Sequence, residues 1–393
     1  MSKNLIAMGL PTILMVLTYV AFVSCRVVSD TKPQLKLVNI IFRHGDRAPD
    51  AAELYPRDPH RNFTYYPMGI GGLTNAGKMR EYRLGQMFRE RYGDFLGPIY
   101  EPLTLEARST DYDRTKMSLQ LVLAGLLPPS PVQQWNEELG WQPIPTIYKA
   151  SHADNLMIPE QCPKYLAELA RVRSSPEVQS VMESHAALME FLEERTGKPM
   201  KTATDPFDLY HTFVAEQAMN LSIPEWAEGM YPDGELSDLA NFEYKIMSYN
   251  EKLRRLNGGM MVRKLSEDMI AFQNGTLPPG RKMYLYSGHE MNVASLLNAL
   301  GVYTPHIPSY SSSVIVELWQ QRNDFFVKVL YHTGIPSVTT VKTIPGCEEL
   351  CPFSTFLELM KPVTPSDTDI ICVKKDTTPP QGVLSLSQLE PVT

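Results

Sequence analysis

The stretch that decides the fold runs from Leu35 to Pro49 and reads LKLVNIIFRHGDRAP. Its first half is apolar and rich in β-branched residues, which is typical of a buried strand. Where the strand stops, it delivers Arg43, His44 and Arg47 to its carboxyl end, the edge at which ligand sites of α/β sheets form. Gly45 lets the backbone turn sharply there. The pattern therefore predicts an α/β fold with a site at the end of its first strand.

The two arginines around His44 suit an anion better than they suit folding. Guanidiniums repel one another and are costly to bury without a partner. Around a phosphate, their planar donors match the oxygens, and the imidazole between them can act as nucleophile or proton carrier. The alternative is a solvated basic turn with a hydrogen-bonded histidine, which an isolated Arg-His-Gly would suggest. The longer string favours an anion site.

The string RHGDRAP at residues 43–49 resembles the signature of the histidine acid phosphatases, the branch of the histidine phosphatase superfamily that carries a helical cap. Later stretches resemble the insect venom members. The resemblance implies an α/β fold in which a mixed, mostly parallel sheet is flanked by helices, as in phosphoglycerate mutase, with an inserted helical cap. It also implies phosphate transfer to a histidine without a metal or another cofactor.

A second apolar run, from Leu103 to Thr110, repeats the pattern of the first. It ends with Arg108 and its neighbours, and a helix follows from about Tyr112 to Leu127. A surface arginine is the ordinary interpretation of a single residue of this kind. The string RSTD that begins at Arg108 resembles a family motif, however, and the resemblance implies that Arg108 is a third phosphate contact.

A third strand, Arg281 to Tyr286, ends in Ser-Gly-His-Glu, and a helix follows at once. Its histidine, His289, is predicted to converge with His44 on the same anion as a further donor. His44 is the predicted nucleophile, and Glu290 is the predicted general acid, although many family members have Asp at that position. Asp46, between the turn arginines, is predicted to support the site by orienting them.

Gly72, Gly77 and Lys78 fit part of a phosphate-loop motif, which would indicate a nucleotide site. Met79 stands where Ser or Thr should hold magnesium, and no strand precedes the glycines. We therefore interpret this segment as the start of a helix that is capped by Thr74 or by the residue after it.

The chain is predicted to form one discontinuous α/β catalytic domain, residues 33–149 and 251–372. Residues 150–250 lack strand signals and are interpreted as the helical cap, because helical periodicity dominates there. Residues 50–72, rich in turn-forming residues, are predicted to form a loop over the mouth of the site. Two further strands are expected to pair antiparallel at the sheet edge, residues 311–318 and 324–331.

Residues 1–25 resemble a secretory signal peptide, since Lys3 precedes an apolar stretch and small residues precede Arg26. A buried helix or a membrane anchor is the alternative, but Pro11 and the abrupt change to polar residues count against it. No apolar run near the C-terminus is long enough to span a membrane. Residues 374–393 are rich in Pro, Thr and Ser and are predicted to be disordered. We therefore expect a secreted protein without a membrane anchor.

The chain has five cysteines, and loss of the signal peptide with Cys25 would leave four. An even number suits an oxidising compartment. Cys347 and Cys351 are close enough to pair with each other, which would leave Cys162 for Cys372. Four cysteines nevertheless permit three pairings, and their spacing does not select one. Three Asn-x-Ser/Thr sequons are candidate glycosylation sites, at Asn62, Asn220 and Asn274.

The formal net charge of -7 and the absence of a long basic run argue against nucleic acid as a partner. The predicted function is a secreted acid phosphatase that hydrolyses small phosphate monoesters through a phosphohistidine. The alternatives are a phytase-like phosphatase and a catalytically weak secreted protein that binds phosphate or a partner. A homodimer is compatible with the resemblance. If Glu290 must start protonated, the rate should be highest at acidic pH.

Overall fold

A computed structural model describes residues 32–372 of the chain. The predicted signal peptide, Cys25 and the predicted C-terminal tail lie outside the described residues. The strands of the described part are β1 (Gln34–Arg43), β2 (Leu105–Ser109), β3 (Ile147–Tyr148), β4 (Met283–Gly288), β5 (Ser313–Gln321), β6 (Asp324–His332), β7 (Thr339–Lys342) and β8 (Cys351–Pro352). Its α-helices are α1 (Asn75–Leu96), α2 (Asp113–Leu126), α3 (Pro163–Arg173), α4 (Pro176–Ser184), α5 (Ala186–Thr196), α6 (Thr204–Ala218), α7 (Glu235–Met247), α8 (Glu251–Leu256), α9 (Gly258–Gln273), α10 (Glu290–Ala299) and α11 (Phe353–Met360).

These strands form one sheet in the order β3-β2-β4-β1-β5-β6-β7, with β8 paired to β6. The first four in that order are parallel neighbours, whereas β5, β6 and β7 join antiparallel. Because β6 is antiparallel to β5, it points the same way as β1, and most strands share one direction. The predicted class, α/β with a mixed and mostly parallel sheet, is confirmed.

Alternation along β1 decides which helices cover each face of the sheet. Val38, Ile40 and Phe42 pack in one core with residues of α1 and α2. Leu37 and Ile41 point to the opposite face and pack in a second core with residues of α9 and α10. Helices therefore cover both faces, which explains why the strand is largely apolar on both faces, with Asn39 as a buried polar exception.

The sequence predicted that the antiparallel pair of β5 and β6 would lie at the sheet edge, and this prediction was wrong. β5 pairs directly with β1, and β7 follows β6 at the outside. The physical reason is burial, since Val314, Ile315 and Val316 of β5 are fully inaccessible. Because β1 has β4 on one side and β5 on the other, its carboxyl end is held from both sides.

Residues 151–250 contain α3 to α7 and short 3-10 turns but no strand. Most of their buried apolar side chains belong to two clusters other than those of the sheet, whereas Met157 packs in a sheet core. One of these cores includes Ala294 of α10, so the helical segment packs against the helix that follows β4. The division into a catalytic domain and a cap stays a prediction.

Two disulfides are present, Cys162–Cys372 and Cys347–Cys351, and the Cα atoms are 5.5 Å apart in each. The pairing that spacing alone left open is thus the one with a short and a long bridge. The long bridge joins residues 210 positions apart and ties the start of α3 to the last described residue.

Asn62, Asn220 and Asn274 are exposed, and their glycosylation stays a prediction. Among residues 32–372, no helix combines the length and the apolar character that a membrane span requires.

Candidate active site

The parallel pairing of β1 with β4 brings the two predicted histidines together. Arg43 at the end of β1 lies opposite Gly288, and the backbone N–H of His44 donates to the Gly288 carbonyl oxygen at 3.0 Å. His289 directly follows Gly288, the last residue of β4. The two imidazole rings consequently meet edge to face, with their centroids 5.5 Å apart.

His44 is completely buried, and its contacts determine which ring nitrogen carries the hydrogen. Its Nδ1 lies 2.8 Å from the Gly45 carbonyl oxygen, so Nδ1 carries the hydrogen and Nε2 keeps its lone pair. Burial, together with Arg114 and Arg43, holds the pKa of His44 well below its ordinary value. The result is a neutral imidazole whose Nε2 can act as a nucleophile.

Arg43 is held rigidly beside the histidines. Its Nη1 donates to the Pro308 carbonyl oxygen at 2.6 Å, and its guanidinium lies 4.2 Å from the centre of the Tyr310 ring. Nε is 3.1 Å from a carboxylate oxygen of Glu290. Even so, Nε and Nη2 make no well-aligned hydrogen bond within the described chain, although both are buried.

Arg47 is anchored by a carboxylate from the loop at residues 50–72. Both terminal nitrogens contact the Glu53 carboxylate, and Nη1 donates to it at 2.7 Å. The Nε of Arg47 is buried and has no hydrogen-bond partner among the described residues. Buried N–H groups without a partner are costly, and those of Arg43 and Arg47 are what an oxyanion would satisfy.

The arginine that contacts His44 is Arg114, in the first turn of α2. Its Nε lies 3.2 Å from Nε2 of His44, and its Nη2 is 3.1 Å from Asp50. Arg108, the residue that the sequence selected, donates instead to Asp154 at 2.6 Å. The structure thus places Arg114, and not Arg108, against the predicted nucleophile. That Arg108 contacts the anion stays a prediction, since its Nε is buried without a hydrogen-bond partner in the described chain.

His289 is oriented by the elements on both sides of it. Its Nε2 is 3.0 Å from the hydroxyl of Thr110, which follows β2. Its backbone N–H donates to the side chain of Asn292 at 2.8 Å, so it caps α10. Burial and Arg114 lower the pKa of His289 to about 3. Like His44, it is neutral and can donate one hydrogen bond.

Glu290 is the first residue of α10 and lies beside Arg43. Burial alone would raise its pKa, but Arg43 and the neighbouring histidines outweigh that effect and hold the pKa well below its ordinary value. Without an anion in the site, Glu290 is ionised and serves as the counter-ion of Arg43. An anion that takes over Arg43 would allow it to bind a proton.

Asp46 does not orient the turn arginines as predicted. Its carboxylate accepts from Nε and Nη2 of Arg80 in α1, at 2.6 Å and 3.1 Å. Asp46 thereby fixes the turn to α1 and does not orient the site arginines. The backbone of α1 also lies close to the turn.

Two glycines make that approach possible. A Cβ atom on Gly45 would lie 2.5 Å from the carbonyl oxygen of Gly77, and one on Gly77 would collide with the backbone of Asp46. Gly45 is thus required for close packing against α1, since its backbone is not in the left-handed region. The glycine of the apparent phosphate-loop motif, Gly77, has the same packing role.

Sequence reasoning missed Arg114, Asp50 and Glu53. For Arg114 a signal existed: helices that follow parallel strands start at the edge where sites form, so first-turn residues are candidates. For the two loop carboxylates no such signal was available, because their position depends on how residues 50–72 fold back.

The family model of the histidine phosphatase superfamily, branch 2, matches residues 34–332. The chain belongs to this superfamily. A venom acid phosphatase of Apis mellifera is 47% identical to this histidine phosphatase over 358 residues, covering 91% of this chain and 92% of that protein. The prostatic acid phosphatase of Rattus norvegicus is 34% identical over 364 residues, covering 91% and 94%. The predicted family is confirmed.

Solved structures show the same fold at much lower identity. A phytase from Citrobacter braakii has a TM-score of 0.63 and 16% identity to this histidine phosphatase, covering 86% of this chain and 99% of that one. The apo form of a Hafnia alvei phytase gives the same TM-score at 16% identity, with 86% and 98% covered.

Proposed function

We propose that this histidine phosphatase is a secreted acid phosphatase that hydrolyses small phosphate monoesters through a phosphohistidine on Nε2 of His44. The observation that carries the proposal is a neutral, buried imidazole beside guanidiniums whose buried N–H groups lack partners. The relatives named acid phosphatases support it.

In the first step, the phosphoryl group of the ester is bound by Arg43, Arg47, Arg114 and His289. These donors offset the charge that would repel a nucleophile. Nε2 of His44 forms a bond to phosphorus while the bond to the ester oxygen breaks. Glu290 gives its proton to that oxygen, and the alcohol leaves.

In the second step, water attacks the phosphohistidine. The Glu290 carboxylate takes a proton from the water, the N–P bond breaks, and inorganic phosphate is released. His44 returns to its neutral form, and Glu290 is again an acid. No group other than the ester and water is consumed.

An acidic optimum follows from the state of Glu290. Because its pKa in the free enzyme is held below the ordinary value, its acid form declines as the pH rises from strongly acidic values. We expect kcat/KM to fall steadily with increasing pH. A rate that stays flat from about pH 4 to 8 would remove Glu290 from this role.

The substrate is proposed to be a monoester of modest charge rather than a polyphosphorylated one. Asp50 and Glu53 place two carboxylates against Arg114 and Arg47. Further phosphate groups on a substrate would be repelled there. The phytase-like alternative is supported by fold likeness only.

Secretion, the absence of a nucleic-acid partner or membrane anchor, and a homodimer remain proposals. The two disulfides suit an oxidising compartment and support secretion. The negative net charge supports small esters rather than nucleic acid as ligands. That no metal or cofactor takes part also stays a prediction.

The proposal is tested by rapid-quench trapping with a radiolabelled aryl phosphate, followed by mapping of the labelled peptide. Acid-labile, base-stable phosphate should map to His44. His44→Ala should abolish the label and lower turnover by at least about 10⁴-fold, as loss of a nucleophile does. His185→Ala, in the cap, is the control and should retain both. A catalytically weak phosphate-binding protein would give no label in any form.

A further inference from the structure

Tyr112 is a half-buried residue that the mechanism above does not use. It is the cap residue at the start of α2, and Arg114 in the first turn of that helix is the arginine that contacts His44. The backbone carbonyl oxygen of Tyr112 accepts from the hydroxyl of Thr115 at 2.9 Å and from the backbone N–H of Lys116 at 3.0 Å. These bonds fix the backbone of Tyr112 at the start of the helix.

The ring of Tyr112 touches two of the proposed anion donors. It packs edge to face with the imidazole of His289, with the ring centroids 4.8 Å apart. The central carbon of the Arg114 guanidinium lies 4.8 Å from the centroid of the same tyrosine ring. His289 is itself held through Thr110 and Asn292. The ring therefore lies between a fixed imidazole and the guanidinium next to the nucleophile.

Arg114 cannot keep the contact that it makes with His44 in the free enzyme. Its Nε–H donates to Nε2 of His44, and the lone pair of that nitrogen must attack phosphorus. The guanidinium has to turn away from Nε2 before it can donate to the phosphoryl oxygens. Asp50 contacts its other end, with a carboxylate oxygen 3.1 Å from Nη2, but the Asp50 side chain is 36% exposed, so solvent weakens this ion pair. An aromatic face attracts a cation in several orientations, so Arg114 can keep its contact with Tyr112 while it turns.

We propose that Tyr112 is a positioning residue for Arg114. Its ring, fixed against His289, holds the guanidinium beside the nucleophile while the Nε–H turns from His44 to an oxygen of the phosphoryl group. The proposal rests on the acid phosphatase function and deepens it, because it names the residue that keeps one charged donor in place during phosphoryl transfer. No bond forms or breaks at Tyr112, and its hydroxyl takes no part.

The ring acts through its charge distribution and not through its volume alone. An aromatic face is electron-rich and attracts a guanidinium, and the attraction is stronger where water is excluded. The Arg114 side chain is 10% exposed, so little solvent competes for it. A leucine at position 112 would fill much of the space of the ring without supplying that attraction.

The test separates the electron-rich face from the volume of the side chain. Tyr112→Phe keeps the ring and should leave kcat for an aryl phosphate within about twofold of the wild type. Tyr112→Leu should lower kcat about 10-fold, because a desolvated cation–π contact is lost, and should change KM less than about twofold. Trifluorophenylalanine in place of Tyr112 has nearly the shape of phenylalanine but a weakened face, so kcat should fall about threefold. This variant reports even if Tyr112→Leu does not fold.

A double-mutant cycle with Arg114→Ala shows which partner the ring acts on. Without the guanidinium, Tyr112→Leu should lower the residual kcat by less than about threefold, because only the contact with His289 remains. Tyr148→Leu is the matched control and should leave kcat unchanged. The ring of Tyr148, on β3, also contacts a cation of α2, since the Lys116 ammonium lies 4.0 Å from its centroid, but that cation is not one of the proposed anion donors.

Equal factors for Tyr112→Leu in both backgrounds, or full activity of the fluorinated variant, would overturn the proposal and leave Tyr112 a packing residue. A loss in Tyr112→Phe as large as that in Tyr112→Leu would overturn it as well, because the hydroxyl would then be the group that acts. Failure of the proposed function is distinguishable, since the wild type would then show no phosphate label on His44.

Discussion

Two regions meet at the site and differ in the charge state of their titratable groups. One is the edge formed by the carboxyl ends of the parallel strands, called the sheet edge from here on. The other is the wall, formed by the loop at residues 50–72 with α6. At the sheet edge, burial and neighbouring arginines lower the pKa values of His44 and His289, so both imidazoles are neutral. In the wall, burial and the nearby carboxyl group of Asp58 raise the pKa of Glu216 to about 9.

The comparison shows how one site can hold guanidinium groups in place and still leave them available to bind a ligand. The sheet edge carries guanidiniums that cannot lose their charge, and its imidazoles add none. The wall carries carboxyl groups, some ionised against those guanidiniums and one, Glu216, kept protonated. An incoming anion therefore meets fixed positive charge at the ends of the strands, where Glu53 and Asp50 of the wall pair with Arg47 and Arg114.

The largest expected effect separates two arginines at the sheet edge. Arg114→Ala should lower kcat/KM for an aryl phosphate by about 10²–10³-fold, because it removes a charged donor next to the nucleophilic nitrogen. Arg108→Ala should leave kcat/KM within a fewfold but lower the free energy of unfolding by about 2 kcal/mol, since it breaks the bond to Asp154. Steady-state kinetics and urea unfolding measure both. The opposite order would make Arg108, not Arg114, the third anion contact.

A somewhat smaller effect separates the two histidines. His289→Ala should lower kcat about 100-fold, as the loss of one transition-state donor does, while the phosphate label on His44 still forms. Quench-flow measurement of labelling and of turnover distinguishes this result from loss of the nucleophile. Complete absence of label would mean that His289, not His44, carries the phosphoryl group.

A substitution of Glu53 tests whether the wall fixes the position of Arg47. Glu53→Gln replaces a two-point ion pair with Arg47 by a neutral amide, so Arg47 should lose its fixed position. We expect KM for the ester to rise about tenfold with a smaller change in kcat. Glu190→Gln, exposed on α5, is the control. An unchanged KM would show that Arg47 is positioned without the loop.

Glu216 should affect stability and leave the rate almost unchanged. Its pKa in the folded state, about 9, exceeds the ordinary value of 4.5, so its contribution is full below about pH 4.5 and is lost as the pH rises toward 9. Glu216→Gln should flatten the fall in unfolding free energy across that window by a few kcal/mol, at about 1.4 kcal/mol per pKa unit. Urea unfolding at pH 5 and pH 8 measures it, and an equal slope in both proteins would contradict it.

The sequence predicted the sheet edge far better than the wall. Apolar runs that end in charged residues identified β1, β2 and β4, and parallel pairing then forced His44 and His289 together. Arg114 was missed because the pattern favoured Arg108, the strand-terminal arginine. In the fold, α2 turns its first residues back over the edge.

The wall could not be predicted, because its contacts join segments without a shared period. Glu53 reaches Arg47 only through the path of the loop. The edge position assigned to β5 and β6 failed for a similar reason: two alternating strands do not reveal which neighbour they join.

The contact between Gly45 and Gly77 implies a limit on how this turn can vary. Neither position has room for even a methyl group, so a substitution at one would act as a wedge between strand end and helix. Moving an attacking nitrogen by about 1 Å can cost about 100-fold in rate. The position of His44 is therefore set by direct contact between two backbone segments. A side-chain substitution elsewhere would not compensate for a change in that contact.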